Sequence, residues 1–223
     1  MSILDLLGRD DVARDAAIAL APLVPRIVGA ILDVVFDPSR PPSARRRAAR
    51  LLSTVSSQRT ASALDLALDT EDLDVRCACS RTLLRIRETN SELRFDAAAT
   101  LARARRELET GREGHARDAL ELEHTFNLLS LTFPREAMQL AYGAVFSHDP
   151  FLRGVALEYL DAMLPADLRA ALTPRLNAAT TRPIAAQRQG TRALDDLLQS
   201  KETIRASLDE LRRAHDPDAE TPP

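Results

Sequence analysis

The sequence contains no tryptophan, and aromatic residues make up 4% of its 223 positions. Any core must therefore draw its volume from Leu, Val and Ile. Glycine occurs seven times, too sparsely for a turn-rich β-sandwich, whereas the abundance of Ala, Leu and Arg favours helix. The two cysteines, Cys77 and Cys79, do not amount to a disulfide framework. Two residues apart on a helix, their side chains diverge by roughly 200°, which disfavours a shared metal or a mutual disulfide. The reducing cytoplasm is the expected compartment. Lysine occurs once, at Lys201, and the other Lys/Arg positions are arginine. Genomic base composition accounts for that bias, and arginine also suits ion pairs between packed helices.

No secretory signal is expected, because the first ten residues carry acids and no apolar core. The nearest approach to a membrane span is AAIALAPLVPRIVGAILDVVF, Ala16 to Phe36. Arg26 and Asp33 inside it would each cost about 2.5–3.5 kcal/mol near a bilayer centre, and Pro22 and Pro25 interrupt it. We read it as two buried helices, with no membrane insertion. The net charge of −3 gives no electrostatic footprint for nonspecific nucleic-acid binding, so no nucleic-acid partner is expected.

Signatures of chemistry are equally scarce. The four histidines, His115, His124, His148 and His215, form neither HExxH nor HxH. His124 lies in an apolar-leaning helix and reads as a packed side chain, and His148 falls in a loop. GREG, Gly111 to Gly114, lacks the Lys-Ser/Thr of a phosphate loop, and no GxSxG elbow occurs. Glu121 and Glu123 lie on different faces of a helix and do not form a carboxylate pair. We therefore expect no catalytic residue, no cofactor and no metal.

What the sequence does have is repetition. HDPFLRGVALEYLDAML, from His148 to Leu164, and EDLDVRCACSRTLLRI, from Glu71 to Ile86, share one pattern: apolar, Arg, two residues, small, three residues, Leu. Leu152, Arg153, Ala156 and Leu160 match Val75, Arg76, Cys79 and Leu83. Ala44, Arg45, Ala48 and Leu52 repeat the pattern, Ala116, Arg117 and Leu120 do so more weakly, and Val12, Ala16 and Leu20 keep the apolar positions with Ala13 in place of arginine. The copies start 32, 31, 41 and 36 residues apart, a period typical of helical arrays. Each start carries helix signals: Asp149-Pro150, Asp72, and Pro41-Pro42. Ala44, Ala48, Leu51, Leu52 and Val55 predict one buried stripe, and Leu152, Ala156, Tyr159, Leu160 and Met163 another. Second helices are expected over 24–36, 57–68, 91–109, 134–147 and 166–176. A lone helical pair buries little, so stacked pairs must supply one another's interior.

At these positions DLDVRCACSRTLL and DPFLRGVALEYLDAML resemble HEAT repeats, over about residues 8–177. The resemblance implies an all-α fold, a right-handed α-α superhelix of about five HEAT-like hairpins used as a binding scaffold. By the same resemblance Asp72, Val75, Arg76, Asp149, Leu152 and Arg153 are structural repeat positions, and the pairs Asp72/Arg76 and Asp149/Arg153 would hydrogen-bond between neighbouring repeats. A narrower resemblance joins FPREAMQLAYGAVFSHDPFLRGVALEYLDAMLP and LQSKETIRASLDELRR to the HEAT-type region of bacterial proteins related to ATP/ADP carriers. Transporter helices are missing here, which makes the chain either a stand-alone relative or a piece of something longer.

Residues 178–189 read as a linker. Residues 190–213 place Leu194, Leu197, Lys201, Ile204, Leu208 and Leu211 at alternating steps of three and four, a short a/d seam. This amphipathic helix either caps the open end of the array or pairs with a partner helix, including its own copy. Residues 214–223 are expected to be disordered. The run ARRRAAR, around Arg46, Arg47 and Arg50, is either a solvated outer face or a small phosphate-binding patch. Candidate partner contacts are Arg135, Glu136, Gln139 and Tyr142 on a second helix, with Leu197, Ile204 and Leu208 in the C-terminal one.

The expected function is a non-catalytic protein-protein interaction scaffold. The alternatives are a regulatory cytoplasmic domain of a nucleotide-transporter-like membrane protein and, from another class, a HEAT-like DNA alkylpurine glycosylase or a lyase acting on a chromophore-carrying partner. The missing Trp and the acidic balance weigh against the glycosylase. If Leu160 is a core position, Leu160→Ala costs about 2–5 kcal/mol in denaturant unfolding, whereas Arg47→Ala on a solvated face costs little.

Overall fold

A computed structural model describes residues 2–110, 117–147 and 149–180. The C-terminal seam with Lys201, Leu197, Ile204 and Leu208, most of the 178–189 linker, the 214–223 tail, and His115, His148 and His215 lie outside the described residues.

The chain is all-α: among the described residues there is no strand. Ten α-helices follow in order: α1 Ala13–Leu20, α2 Val24–Phe36, α3 Pro42–Leu51, α4 Gln58–Leu66, α5 Leu73–Thr89, α6 Ala97–Thr110, α7 Arg117–Thr132, α8 Arg135–Val145, α9 Pro150–Met163 and α10 Ala166–Thr180. Short 3₁₀ turns at Ile3–Gly8, Ala21–Leu23, Leu52–Thr54 and Ala67–Asp69 flank or extend them. The starts follow local chemistry. Ser57 accepts from the Thr60 amide at 3.1 Å and opens α4. Asp72 accepts from Val75 at 3.1 Å for α5, and Asp149 from Phe151 at 2.9 Å for α9. Pro42 and Pro150 occupy the first helical turn, where a missing N–H costs nothing.

One boundary differs from the expected 91–109. The α6 helix starts only at Ala97, with Asp96 accepting from Ala99 at 3.1 Å. The preceding loop is held instead by the α4 start: Gln58 Nε2 donates to the Arg94 carbonyl at 3.0 Å, the Arg94 amide donates back to Gln58 Oε1 at 2.9 Å, and Asn90 Nδ2 donates to the Ser56 carbonyl at 2.9 Å. Those amides and carbonyls are committed outside a helix.

The stretch Ala13–Phe36 has the length and apolar composition of a membrane span, yet the turn at Ala21–Leu23 divides it and Ile27, with φ −119° and ψ 21°, kinks its second half. Ala16, Leu20, Val24, Ile31, Val34 and Val35 enter the core, while Arg26 and Asp33 stay exposed.

Buried apolar residues from Leu7 to Leu176 form one continuous cluster. Its centre is α5, packed on α3, α4 and α7, and α7, packed on α5, α6 and α8. Both are buried on most sides, which brings polar side chains inside. These close locally: Thr82 donates to the Ala78 carbonyl at 2.8 Å, Thr125 to Glu121 at 2.9 Å and Ser130 to Phe126 at 2.7 Å. The small positions Ala48, Cys79 and Ala156 are all buried, as are Val75, Leu83 and Leu160.

Two features depart from a uniform stack. The α9 helix packs on α8, and α10 turns back to pack on α6, where Arg105 of α6 pairs with Asp167 at 3.2 Å, while Arg175 of α10 reaches Glu121 of α7 at 2.5 Å. In consequence Leu152 and Met163, expected in the buried stripe of α9, are 45% and 37% exposed. The equivalent Val75 is buried because α5 has neighbours on both sides.

Arg47 also differs from the solvated residue expected of it. Its Nη1 donates to the Leu7 carbonyl at 2.7 Å and it pairs with Asp10, tying α3 to the Ile3–Gly8 turn. Asp10 is exposed and adds little, but the carbonyl loses its partner on truncation. Arg47→Ala should therefore destabilise by about 1–2 kcal/mol in urea unfolding; a cost near zero would return the residue to the solvated face.

Candidate interaction surface

The recurring arginine does one job at three of its positions. Arg45 Nε donates to the Val35 carbonyl at 2.8 Å, Arg76 Nη1 to the Thr70 and Glu71 carbonyls at 2.9 and 2.7 Å, and Arg153 Nη2 to the Ser147 carbonyl at 2.7 Å. Each closes carbonyls at or just beyond the end of the preceding helical segment, where the backbone has run out of its own donors. The expected Asp72/Arg76 and Asp149/Arg153 cross-links are not what these contacts form: both aspartates cap their own helices. Arg76 reaches further, donating through Nη2 to Glu107 on α6 at 3.0 Å.

Around Arg76 lies a buried polar cluster. His124 Nδ1 is 3.0 Å from Ser80 Oγ, and its Nε2 is 3.7 Å from Glu107 Oε1. Arg81 clamps Glu123 with bonds of 2.6 and 2.7 Å, and Asn127 donates to Ser80 Oγ at 3.3 Å. Ser80 Oγ also donates to the Cys77 carbonyl at 3.1 Å, so the hydroxyl stands between the imidazole, the Asn127 amide and its own helix backbone. Burial, and then the Arg76 and Arg81 charges, lower the His124 pKa from 6.5 to about 3. The order Ser, His, Glu is that of a hydrolytic triad, but Ser80 and His124 are 0% and 1% exposed and lie inside the helix packing. Cys77 Sγ points to the Leu120 carbonyl on α7 at 3.7 Å, whereas Cys79 lies in the field of Arg45 on α3. Burial raises both thiols, Cys79 to about 12, which suppresses thiolate chemistry. Among the described residues no three His, Cys, Asp or Glu side chains converge as metal ligands.

The surface that stands out is on α8 and α9. At 100° per residue, Phe151, Val155, Tyr159, Leu152 and Met163 fall within an arc of about 120° on α9. Ala156 and Leu160, on the adjoining arc, are buried. Glu158 and Asp161 mark the remaining polar side. The helix is thus apolar over far more than the single stripe that a packed surface helix needs. Phe151 is 75% exposed, Val155 48% and Leu140 of α8 51%. Of eleven exposed large hydrophobics among the described residues, six lie between Leu140 and Met163, a concentration of the kind that marks interaction sites.

The expected partner contacts on α8 are placed less freely. Arg135 pairs with Glu88 of α5. The Gln139 amide lies 3.1 Å from Arg135 Nε, and with its oxygen on that side it would accept from the guanidinium. Tyr142 is packed between Phe126 and Phe146, with ring centroids 4.9 and 5.1 Å away. Glu136 is exposed. Sequence reasoning missed Phe151, Val155 and Leu140, although the width of the apolar arc on α9 was there to be read. A recess of about 300 Å³ between α4 and the loop before α6, lined by Ser62, Asp65, Leu66, Arg94, Phe95 and Asp96, is separate from this surface in sequence.

The buried histidine makes stability depend on pH. Its folded pKa lies below its unfolded one, so between about 6.5 and 3 the unfolded chain takes up a proton that the folded chain refuses. Stability falls as pH drops through that window, by up to about 1 kcal/mol per pH unit from this group. Urea unfolding from pH 7 to 4 should show a shallower slope for His124→Gln than for the wild type; equal slopes would contradict the buried neutral assignment.

Comparison of the chain with protein-family models, with curated proteins and with solved structures finds no match.

Proposed function

We propose that the protein is a non-catalytic scaffold of HEAT-like helical pairs that binds a protein partner through the open apolar face of α8 and α9. The observation that carries this reading is the arc of α9 on which Phe151, Leu152 and Val155 stand exposed beside a buried arc. Large apolar side chains left in water on a rigid helix gain about 1.5–3 kcal/mol each on full burial, and aromatic and aliphatic anchors of this kind dominate protein interfaces. The pairing of α3 with α5 and of α5 with α7 supports a HEAT-like superhelical arrangement through the middle of the chain. The return of α10 to α6 is a departure from it, and it is what leaves α9 uncovered. The reading places the chain in the cytoplasm.

The same surface serves the alternative in which the partner is the cytoplasmic side of a transporter-like membrane protein, and the identity of the captured protein separates the two. The test is affinity capture from the native host with the full chain, alongside Leu152→Glu/Val155→Glu and an Arg14→Glu control. A protein retained by wild type and control but lost by the double variant, with thermal unfolding unchanged, is the expected result. A double variant that retains the same proteins as the wild type would overturn the assignment of this surface.

A further inference from the structure

Most arginines of α3 and α5 are occupied. Arg46 pairs with Asp74 at 3.1 Å, Arg47 with Asp10 and the Leu7 carbonyl, and Arg81 with Glu123. Arg50 lies one turn beyond Arg46, and Arg85 one turn beyond Arg81. Both are exposed, and neither has an ion-pair partner among the described residues. Because α3 packs on α5, the two open guanidiniums share one neighbourhood: Arg50 is exposed yet partly desolvated by the protein around it, and that, followed by the charges of Arg81, Arg46, Arg47 and Arg85, lowers its pKa. Arg46, Arg47 and Arg81 are matched by their own carboxylates, so the open charge here is that of Arg50 and Arg85, two planar donor forks without an acceptor among the described residues. Such forks match the geometry of an oxyanion, which they bind bidentately.

We propose that Arg50 and Arg85 form a docking surface for an acidic peptide segment of a protein partner, separate from the apolar face of α8 and α9. A peptide fits better than a nucleic-acid backbone. The open arginines lie on helices that also carry Asp74 and meet Glu123, a mixture that accepts a few spaced carboxylates and repels a continuous row of phosphates. The net charge of −3 acts in the same direction.

The test uses the full chain and a fluorescein-labelled peptide of glutamates spaced by Gly-Ser, followed by anisotropy at low salt. The wild type should bind, and more weakly as salt rises. Arg50→Gln/Arg85→Gln should weaken binding by at least about tenfold, the worth of one charge-assisted hydrogen bond. Arg50→Lys/Arg85→Lys should fall between, keeping charge and losing the fork. A control pair on other helices, Arg26→Gln/Arg59→Gln, should bind as the wild type does. A serine-phosphorylated peptide that binds more tightly with the same dependence on Arg50 and Arg85 supports the surface and assigns the oxyanion to phosphate. Absence of binding by the wild type, or equal weakening in the control pair, overturns the proposal. So does tighter binding of duplex DNA through Arg50 and Arg85, which would make the partner a nucleic acid.

Discussion

The contact on which the rest depends is the burial of α5 against α3 on one side and α7 on the other. The helices run from eight residues in α1 to seventeen in α5, lengths at which an isolated helix is marginal in water. Their stability has to come from neighbours. The small residues Ala48 and Cys79 are buried without Cβ branching to hold the layers apart, and Leu83 is fully enclosed. Once α5 and α7 are surrounded, their polar side chains lose water as well. Back-bonding hydroxyls and the His124–Ser80 contact follow from that enclosure.

Arginine handles what the apolar contacts leave open. A helix end inside a packed array exposes carbonyls that water cannot always reach. Arg45 and Arg153 fill that role at the ends of α2 and α8. Arg87 does so at the end of α7, donating to the Leu131 carbonyl while lying over the Phe95 ring at 5.6 Å. Others bridge distant helices: Arg103 reaches Asp65 and Asp69, and Arg175 reaches Glu121. A planar fork with several donors suits a site where a carbonyl and a carboxylate must be met together, as at Arg76. Lysine, whose three donors sit on one compact ammonium without a planar fork, is not equivalent there. At Arg50 and Arg85 the same residue has no ion-pair acceptor among the described residues.

Much of the helical order was legible, and for a physical reason. Caps and prolines act within three or four residues, so Asp72, Asp149-Pro150 and Pro41-Pro42 announce their helices whatever packs above them. The expected second helix 24–36 and the observed Val24–Phe36 agree. The late start of α6 was not legible, because it is set by Gln58 holding Arg94 from 36 residues away. The exposure of Leu152 was hidden for a related reason. Periodicity reports which arc of a helix is apolar, but the presence of a neighbour on that arc depends on the path of α10. The arginine role at Arg45, Arg76 and Arg153 was visible only as a recurrence, since its carbonyl acceptors carry no side-chain signature.

The central claim is that adjacent helices supply one another's interior, so that protection tracks the number of covering neighbours. Native-state hydrogen exchange measures this directly, amide by amide. The account predicts the slowest exchange in α5 and α7, with α9, covered on one side and open on the other, exchanging markedly faster. Equal or greater protection in α9 than in α5 would contradict it.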